Sequence, residues 1–325
     1  MPPPFPFRIP VRRPFHLGYM ALSHGWVELE PFRWDRDEAC LYTVIRTGGE
    51  KAFALRISSE GDNRPGQRLR VEKAAGPRAT EKDRARIEEK VRWCLRLDED
   101  FTPFQERCRR TPGLEWVARY GLGPFLRNPD LFEEFAKMLL TTNISWAGTK
   151  LLNRLLLDHL GDPVGGRRGR PAPFRAFPTA RKAARATERT LREKLRLGYR
   201  APYFKDLARR FARGEVDEAA LLDPALPAEE LARVLSSFKG FGPYAVSSLL
   251  ITFGRYEHLI LDAWTRKTAA RIHFRGRDVP ERTLREHYAS WGRWAGLALW
   301  FECAFHTWFK DELEGRGRGV VTGAG

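Results

Sequence analysis

In the stretch FKGFGPYAVSSLLITFGRYEHLILDAWTRK, residues 238–267, Gly240 and Gly242 stand two apart, Ala245 follows, and Asp262 lies twenty positions beyond Gly242. Glycines so spaced let a backbone approach a phosphate, and an acidic residue about twenty positions on is what grips a ribose hydroxyl in a dinucleotide fold. That fold requires a strand before the first glycine. Here the preceding segment carries Leu231, Val234, Leu235 and Phe238 at i, i+3, i+4 and i+7, which is helical spacing. Ala245, Val246, Leu249, Leu250 and Phe253 continue that spacing after the loop. The unit reads as helix, glycine hairpin, helix, with Pro243 in the first turn of the second helix, where its missing N–H costs nothing, and Gly254 at its end. The amides around Gly242 to Ala245 then sit at a helix N-terminus, where dipole and unpaired N–H groups favour a phosphate oxygen. A tight helix–helix turn using glycine for steric reasons fits the same letters.

The elements around the loop give an α+β chain. From Pro14 to about Arg70, GWVELEPF, CLYTVIRT and KAFALRISS read as strands separated by the turn signals TGGE and EGDNRPG. From about Thr80 the period is helical: EKDRARIEEKVRWCLRL, PDLFEEFAKMLLTTNISWAGTKLLNRLLLDHL, RTLREKLRLG, APYFKDLARRFARG and PAEELARVLSSF. The expected domains are a β-rich one over residues 1–95 and a helical one over 96–314, with a flexible tail over 315–325. Residues 161–178, GDPVGGRRGRPAPFRAFP, are too rich in Gly, Pro and Arg to hold helix or strand, and read as a surface loop whose arginines reach toward phosphate.

Composition narrows the partner. There are 57 Lys and Arg against 41 Asp and Glu, a formal net charge of +16, and 42% hydrophobic residues in 325. Such a balance favours a polyanion and salt-sensitive association, nucleic acid first, although an arginine preference on solvated faces would give the same sum. Cys40, Cys94, Cys108 and Cys303 are too scattered for a zinc site or an iron–sulfur cluster, and the seven histidines are dispersed. The N-terminus has six prolines and no apolar run fit for a signal peptide. With no membrane span in view, the expected location is a reducing compartment, the cytoplasm at the nucleoid or a nucleus.

LSSFKGFGPYAVSSLL followed by LILDAWTRK resembles the helix-hairpin-helix DNA glycosylases, the superfamily of endonuclease III, adenine glycosylase, 3-methyladenine glycosylase II and 8-oxoguanine glycosylase. LRLGYRAPYFKDLARRF and MLLTTNISWAGTKLLNRL are similar to the 8-oxoguanine branch, and the resemblance runs from about Leu97 to Glu314. It implies a mostly helical glycosylase core preceded by a small antiparallel β-sheet domain, and a duplex DNA partner containing a damaged base, bound by a monomer. No cofactor and no iron–sulfur cluster are implied; a monovalent cation at the hairpin is the one ion the resemblance allows.

Asp262 falls at the family's catalytic aspartate. A carboxylate there would stabilise the positive charge left on the sugar as an N-glycosidic bond breaks, and could orient or deprotonate water. It also suits the N-cap of the AWTRKTAARI helix. The resemblance makes Tyr199 the wedge that fills the gap left by an extruded base, with Arg200 and Asn143 bonding the orphaned opposite base or the backbone, while Gly240, Gly242, Pro243 and Ala245 grip phosphate. Tyr199 could equally be a packing tyrosine. An arginine carried by the 8-oxoguanine branch is Gly148 here, which loosens opposite-base reading. The lysine that forms a Schiff base in bifunctional relatives is Tyr244, and Lys239 is out of register, so a monofunctional, water-using mechanism is expected. Tyr244, Trp264, Leu299, Trp300 and Cys303 form the expected base pocket, unless the Trp-rich C-terminal helix is ordinary core. An aromatic pocket favours a cationic purine alkylated at N3 or N7. The alternatives are 8-oxoguanine, or a non-catalytic helix-hairpin-helix protein that only binds DNA.

Overall fold

In the computed structural model, which describes residues 4–61, 66–123, 125–166 and 172–314, five segments form one antiparallel sheet. They are β1 (Phe7–Pro10), β2 (Arg33–Asp35), β3 (Cys40–Gly48), β4 (Lys51–Glu60) and β5 (Arg68–Ala75), in the order β1-β5-β4-β3-β2. The TGGE turn joins β3 to β4 because Gly48 and Gly49 accept φ of 129° and 57°. Alternation along β4 sends Phe53, Leu55 and Ile57 to one face and Ala52 and Ala54 to the other.

That second face holds a correction. Residues 161–178 do contain strands: β6 (Asp162–Val164) pairs with β7 (Phe174–Ala176) in a small ribbon. Val164 and Ala176 pack on Val44, Ala52 and Ala54, and this burial outweighs the breaker composition. Pro163 is tolerated because a two-stranded ribbon has an open edge for a residue without N–H. Arg167, Arg168 and Arg170, expected to reach phosphate, and the tail 315–325 lie outside the described residues.

GWVELEPF is not a strand either. Gly25–Glu28 is a 3-10 turn, with Leu29 N–H donating to Trp26 O at 3.0 Å. Trp26 is buried by donating its indole N–H to Glu134 at 2.6 Å, and Trp146 lies so close to Gly25 that an added Cβ would stand 2.8 Å from its ring. The apolar alternation there serves a turn docked on helices rather than a sheet. The strands at Phe7–Pro10, Arg33–Asp35 and Arg68–Ala75 are additional to those read from sequence.

Helix Glu81–Leu95 starts where Thr80 and Asp83 cap each other. The long helical run expected over 129–160 is two helices, Leu131–Leu140 and Trp146–Leu160. It breaks at Asn143, whose φ is 47°, and restarts as Ser145 accepts the Gly148 N–H.

The compact units divide differently from a boundary at residues 95 and 96. The first comprises Met1–Asp100 and Tyr120–Val216, so its sheet shares a unit with the helices up to Arg200–Ala212. The second comprises Phe101–Arg119 and Asp217–Gly325. Its core is aromatic: Phe104 meets Trp294 at 5.6 Å, Tyr256 stacks on Trp294 at 5.5 Å, and Trp116 meets Phe301 at 5.9 Å. The expected C-terminal helix is interrupted. Gly292 sits at φ 56° in a 3-10 turn, helix Ala295–Ala304 follows, and Phe305–Phe309 is a π-helical turn. Among the described residues no helix is long and apolar enough to cross a membrane.

Candidate active site

The hairpin lies in the second unit, between helices Ala228–Ser236 and Pro243–Thr252. Phe241 N–H donates to Phe238 O at 3.1 Å, and the two buried rings pack 5.8 Å apart, which pins the loop from below. Gly240 turns the chain at φ 92°, a conformation that favours glycine. Gly242 is different. It is the extended, exposed N-cap, and a Cβ built on it would meet nothing within 4 Å. Nothing among the described residues therefore needs glycine at 242, whereas a ligand approaching the amides of the helix's first turn would. Pro243 occupies N1, and Ala245 is buried beneath.

Asp262 caps helix Ala263–His273, the aspartate helix. Its Oδ1 accepts the Thr265 N–H at 2.7 Å, while Thr265 Oγ1 accepts the Asp262 N–H at 3.0 Å and donates to Ile260 O at 2.7 Å. Among the described residues every hydrogen bond to this carboxylate goes to Oδ1, which leaves Oδ2 for a reacting centre. Asp262 opens into a cleft of about 470 Å3 whose walls include Ala263, Arg266, Lys267 and Ala270, one face of the aspartate helix, with Gly276 and Asp278 opposite. Arg266 is held by Asp278 at 3.4 Å and Glu281 at 3.6 Å.

In the first unit, Asn143, Tyr199 and Arg200 converge on one backbone turn. Asn143 Nδ2 donates to Tyr199 Oη at 3.3 Å, and Tyr199 Oη donates to Thr142 O at 3.4 Å. Burial alone would raise the Tyr199 phenol, but the hydrogen bonds to Thr142 and Asn143 and the Arg200 charge outweigh it and lower its pKa. Tyr199 is 47% exposed. Arg200 is not: it is 5% exposed, bonds Thr142 through Nε and Nη2, and lies 4.6 Å from the Tyr199 ring. Where a DNA contact was expected, Arg200 in this structure turns its guanidinium onto Thr142 as a strut of the turn that carries Asn143. At Gly148 a Cβ would stand 2.5 Å from Ile144 Cγ1, so no larger residue fits without moving that exposed isoleucine.

No family model matches the chain. The DNA-3-methyladenine glycosylase of Bacillus subtilis (strain 168) is 27% identical over 164 residues, which are 49% of this chain and 52% of that protein. The chain thus spans about half the length of this curated relative. Among solved structures, the 3-methyladenine DNA glycosylase from Archaeoglobus fulgidus superposes with a TM-score of 0.73 at 20% identity, over 93% of this chain and 99% of that one. The chain has the fold of the helix-hairpin-helix DNA glycosylases. The 8-oxoguanine glycosylase/lyase of Clostridium acetobutylicum, in complex with double-stranded DNA containing cytosine opposite 8-oxoguanine, gives a TM-score of 0.67 at 18% identity, over 94% of this chain and 98% of that one.

Within this glycosylase fold the expected base-pocket residues separate into two groups. Leu299 and Cys303 are enclosed in the core, where Cys303 Sγ lies 3.8 Å from Thr265 O, and neither lines the cleft at Asp262. They support the site and do not face it, because helix Ala295–Ala304 is apolar nearly all round and its flanks are covered. Trp264 and Trp300 come together, ring centroids 5.4 Å apart, with Trp300 buried; neither of them nor Tyr244 lines the cleft at Asp262. A third indole, Trp308, stacks on Trp264 at 5.0 Å with 18° between planes, and is 37% exposed. Sequence reasoning passed over Trp308. The signal was its spacing of eight from Trp300, which returns to the same helix face. Tyr244 stands on the first turn after the hairpin, partly exposed, and Lys239 is exposed before it.

Proposed function

We propose that this protein is a monofunctional DNA glycosylase of base-excision repair that extrudes damaged purines, most readily those alkylated at N3 or N7, and hydrolyses the N-glycosidic bond. The observation that carries the reading is Asp262: a helix-capping carboxylate anchored through one oxygen, open through the other, on the rim of a cleft in the same unit as an uncovered phosphate-ready hairpin. As the base departs, positive charge develops on the deoxyribose, and the free carboxylate oxygen stabilises it and orients the attacking water. The Thr265 bonds fix the carboxylate beforehand, so little reorganisation is needed during reaction.

The partner in this reading is double-stranded DNA with one damaged base, bound by a monomer where the cell keeps its DNA. Hairpin amides at Gly242 to Ala245 take a backbone phosphate, and Tyr199 enters the stack while Asn143 meets the orphaned base. Tyr244 replaces a Schiff-base lysine, which supports hydrolysis by water over lyase chemistry. The monovalent cation that the resemblance allows at the hairpin would be held by backbone carbonyl oxygens, donors that suit a hard cation. Such an ion would steady the phosphate loop, and no step of the cleavage passes through it. The partly exposed indoles of Trp264 and Trp308, backed by the buried Trp300, would suit a cationic purine, whose charge an electron-rich face attracts.

The Asn143–Tyr199 turn favours a second reading, 8-oxoguanine, since its sequence is similar to that branch. Incubation with duplexes bearing single lesions, followed by analysis of released bases, separates the two. We expect 3-methyladenine or 7-methylguanine in preference to 8-oxoguanine, and no borohydride-trapped protein–DNA adduct. Efficient 8-oxoguanine release with none from methylated DNA would overturn the substrate assignment.

A further inference from the structure

The aspartate helix is held at its far end by an ionisable hub that the proposed chemistry does not use. His273, its last residue, places Nε2 2.7 Å from Glu302 Oε2. The same oxygen accepts the hydroxyl of Tyr288, the last residue of helix Glu281–Tyr288. One largely buried carboxylate on helix Ala295–Ala304 therefore ties the ends of two other helices. Burial, and then the Glu302 charge, raises the Tyr288 phenol, so it remains a donor.

Helix Ala295–Ala304 is itself registered against the chain on both sides of Asp262. Gly296 N–H donates to Tyr256 O at 2.8 Å, and a Cβ at Gly296 would lie 2.0 Å from His258 O, so the backbones touch just before the loop that leads to Asp262. Cys303 Sγ lies 3.8 Å from Thr265 O, just after it. With the near end seated this way, the Glu302–His273 bond sets the tilt of an 11-residue rod about 16 Å long whose first turn presents the carboxylate.

We propose that Glu302 is a positioning residue for Asp262, acting through His273 at the opposite end of the aspartate helix. Its effect on rate rests on the glycosylase reading; its effect on the helix does not. A buried carboxylate that loses its charge or a partner leaves donors unsatisfied, and the helix end they hold is released. Small misplacements of a reacting group are costly in rate and nearly invisible in binding.

The test uses Glu302→Gln, with Tyr288→Phe as a milder second variant should the first lose its fold. Single-turnover excision at saturating protein should fall about 10- to 100-fold, with affinity for an abasic-analogue duplex unchanged. Hydrogen exchange at the Thr265 and Arg266 amides should quicken in the free protein. Adding His273→Gln to Glu302→Gln should cost nothing further, since both act along one path. Wild-type rate and wild-type exchange at Thr265 in both variants, or additive losses in the double variant, would overturn the proposal. Faster exchange at Thr265 in a protein that excises no lesion would uphold the helix latch and sink the glycosylase reading instead.

Discussion

Thr265 and Asp262 cap one another reciprocally: the aspartate Oδ1 accepts the Thr265 N–H at 2.7 Å, and Thr265 Oγ1 accepts the Asp262 N–H at 3.0 Å. The same hydroxyl donates to Ile260 O at 2.7 Å, so one side chain closes the turn on both sides of the carboxylate. Thr265→Val keeps the backbone N–H bond to Asp262 Oδ1 but removes the hydroxyl's bonds to Asp262 N–H and Ile260 O at nearly constant volume. It should cost about 1–3 kcal/mol in denaturant unfolding and slow excision beyond what the unfolded fraction explains. Thr265→Ser should restore both.

The two hairpin glycines should behave oppositely. Gly242→Leu faces open space and should leave Tm within error, yet weaken DNA binding across all sequences, because the side chain blocks phosphate approach. Gly240→Ala, at φ 92°, should cost about 1–3 kcal/mol in stability. Thermal melts paired with duplex titrations read both outcomes.

How legible was this site? The hairpin and the Asp262 cap were readable because helical period, glycine and proline placement and capping chemistry are all local. The burial of Arg200 was not legible because it depends on Thr142, 58 positions away. Leu299 and Cys303 were misplaced for a similar reason, since periodicity cannot say which side of an all-apolar helix is covered. In the sheet unit, Trp26 and Val164 looked respectively like strand and loop. Docking on Glu134 and on Val44, long-range in both cases, decided otherwise.

The strut role separates Arg200 from Tyr199. Arg200→Ala should lower Tm by removing a buried side chain and its bonds to Thr142, whereas Tyr199→Ala, at an exposed position, should leave Tm nearly unchanged and weaken lesion-duplex affinity. Melting curves with and without DNA distinguish them.

Acid should find His24 in the first unit. Burial holds its folded pKa at about 3, below the ordinary 6.5, so the unfolded chain takes up the proton first. Its contribution is therefore full above pH 6.5 and is lost as pH falls toward about 3. Glu133, raised by burial to about 7 against the Lys137 charge, works in the opposite sense between its ordinary pKa and that value. His24→Phe keeps the stack on Phe125 and should lose about 2 kcal/mol less than wild type between pH 6.5 and 5, by urea unfolding.

The central claim is that Asp262 carries the chemistry, and Asp262→Asn tests it most directly. The amide keeps an oxygen to accept the Thr265 N–H but removes the charge needed as the glycosidic bond breaks. Single-turnover release of 3-methyladenine or 7-methylguanine from a duplex should fall by orders of magnitude, with lesion-duplex affinity retained. Unchanged release by the asparagine variant would contradict the account.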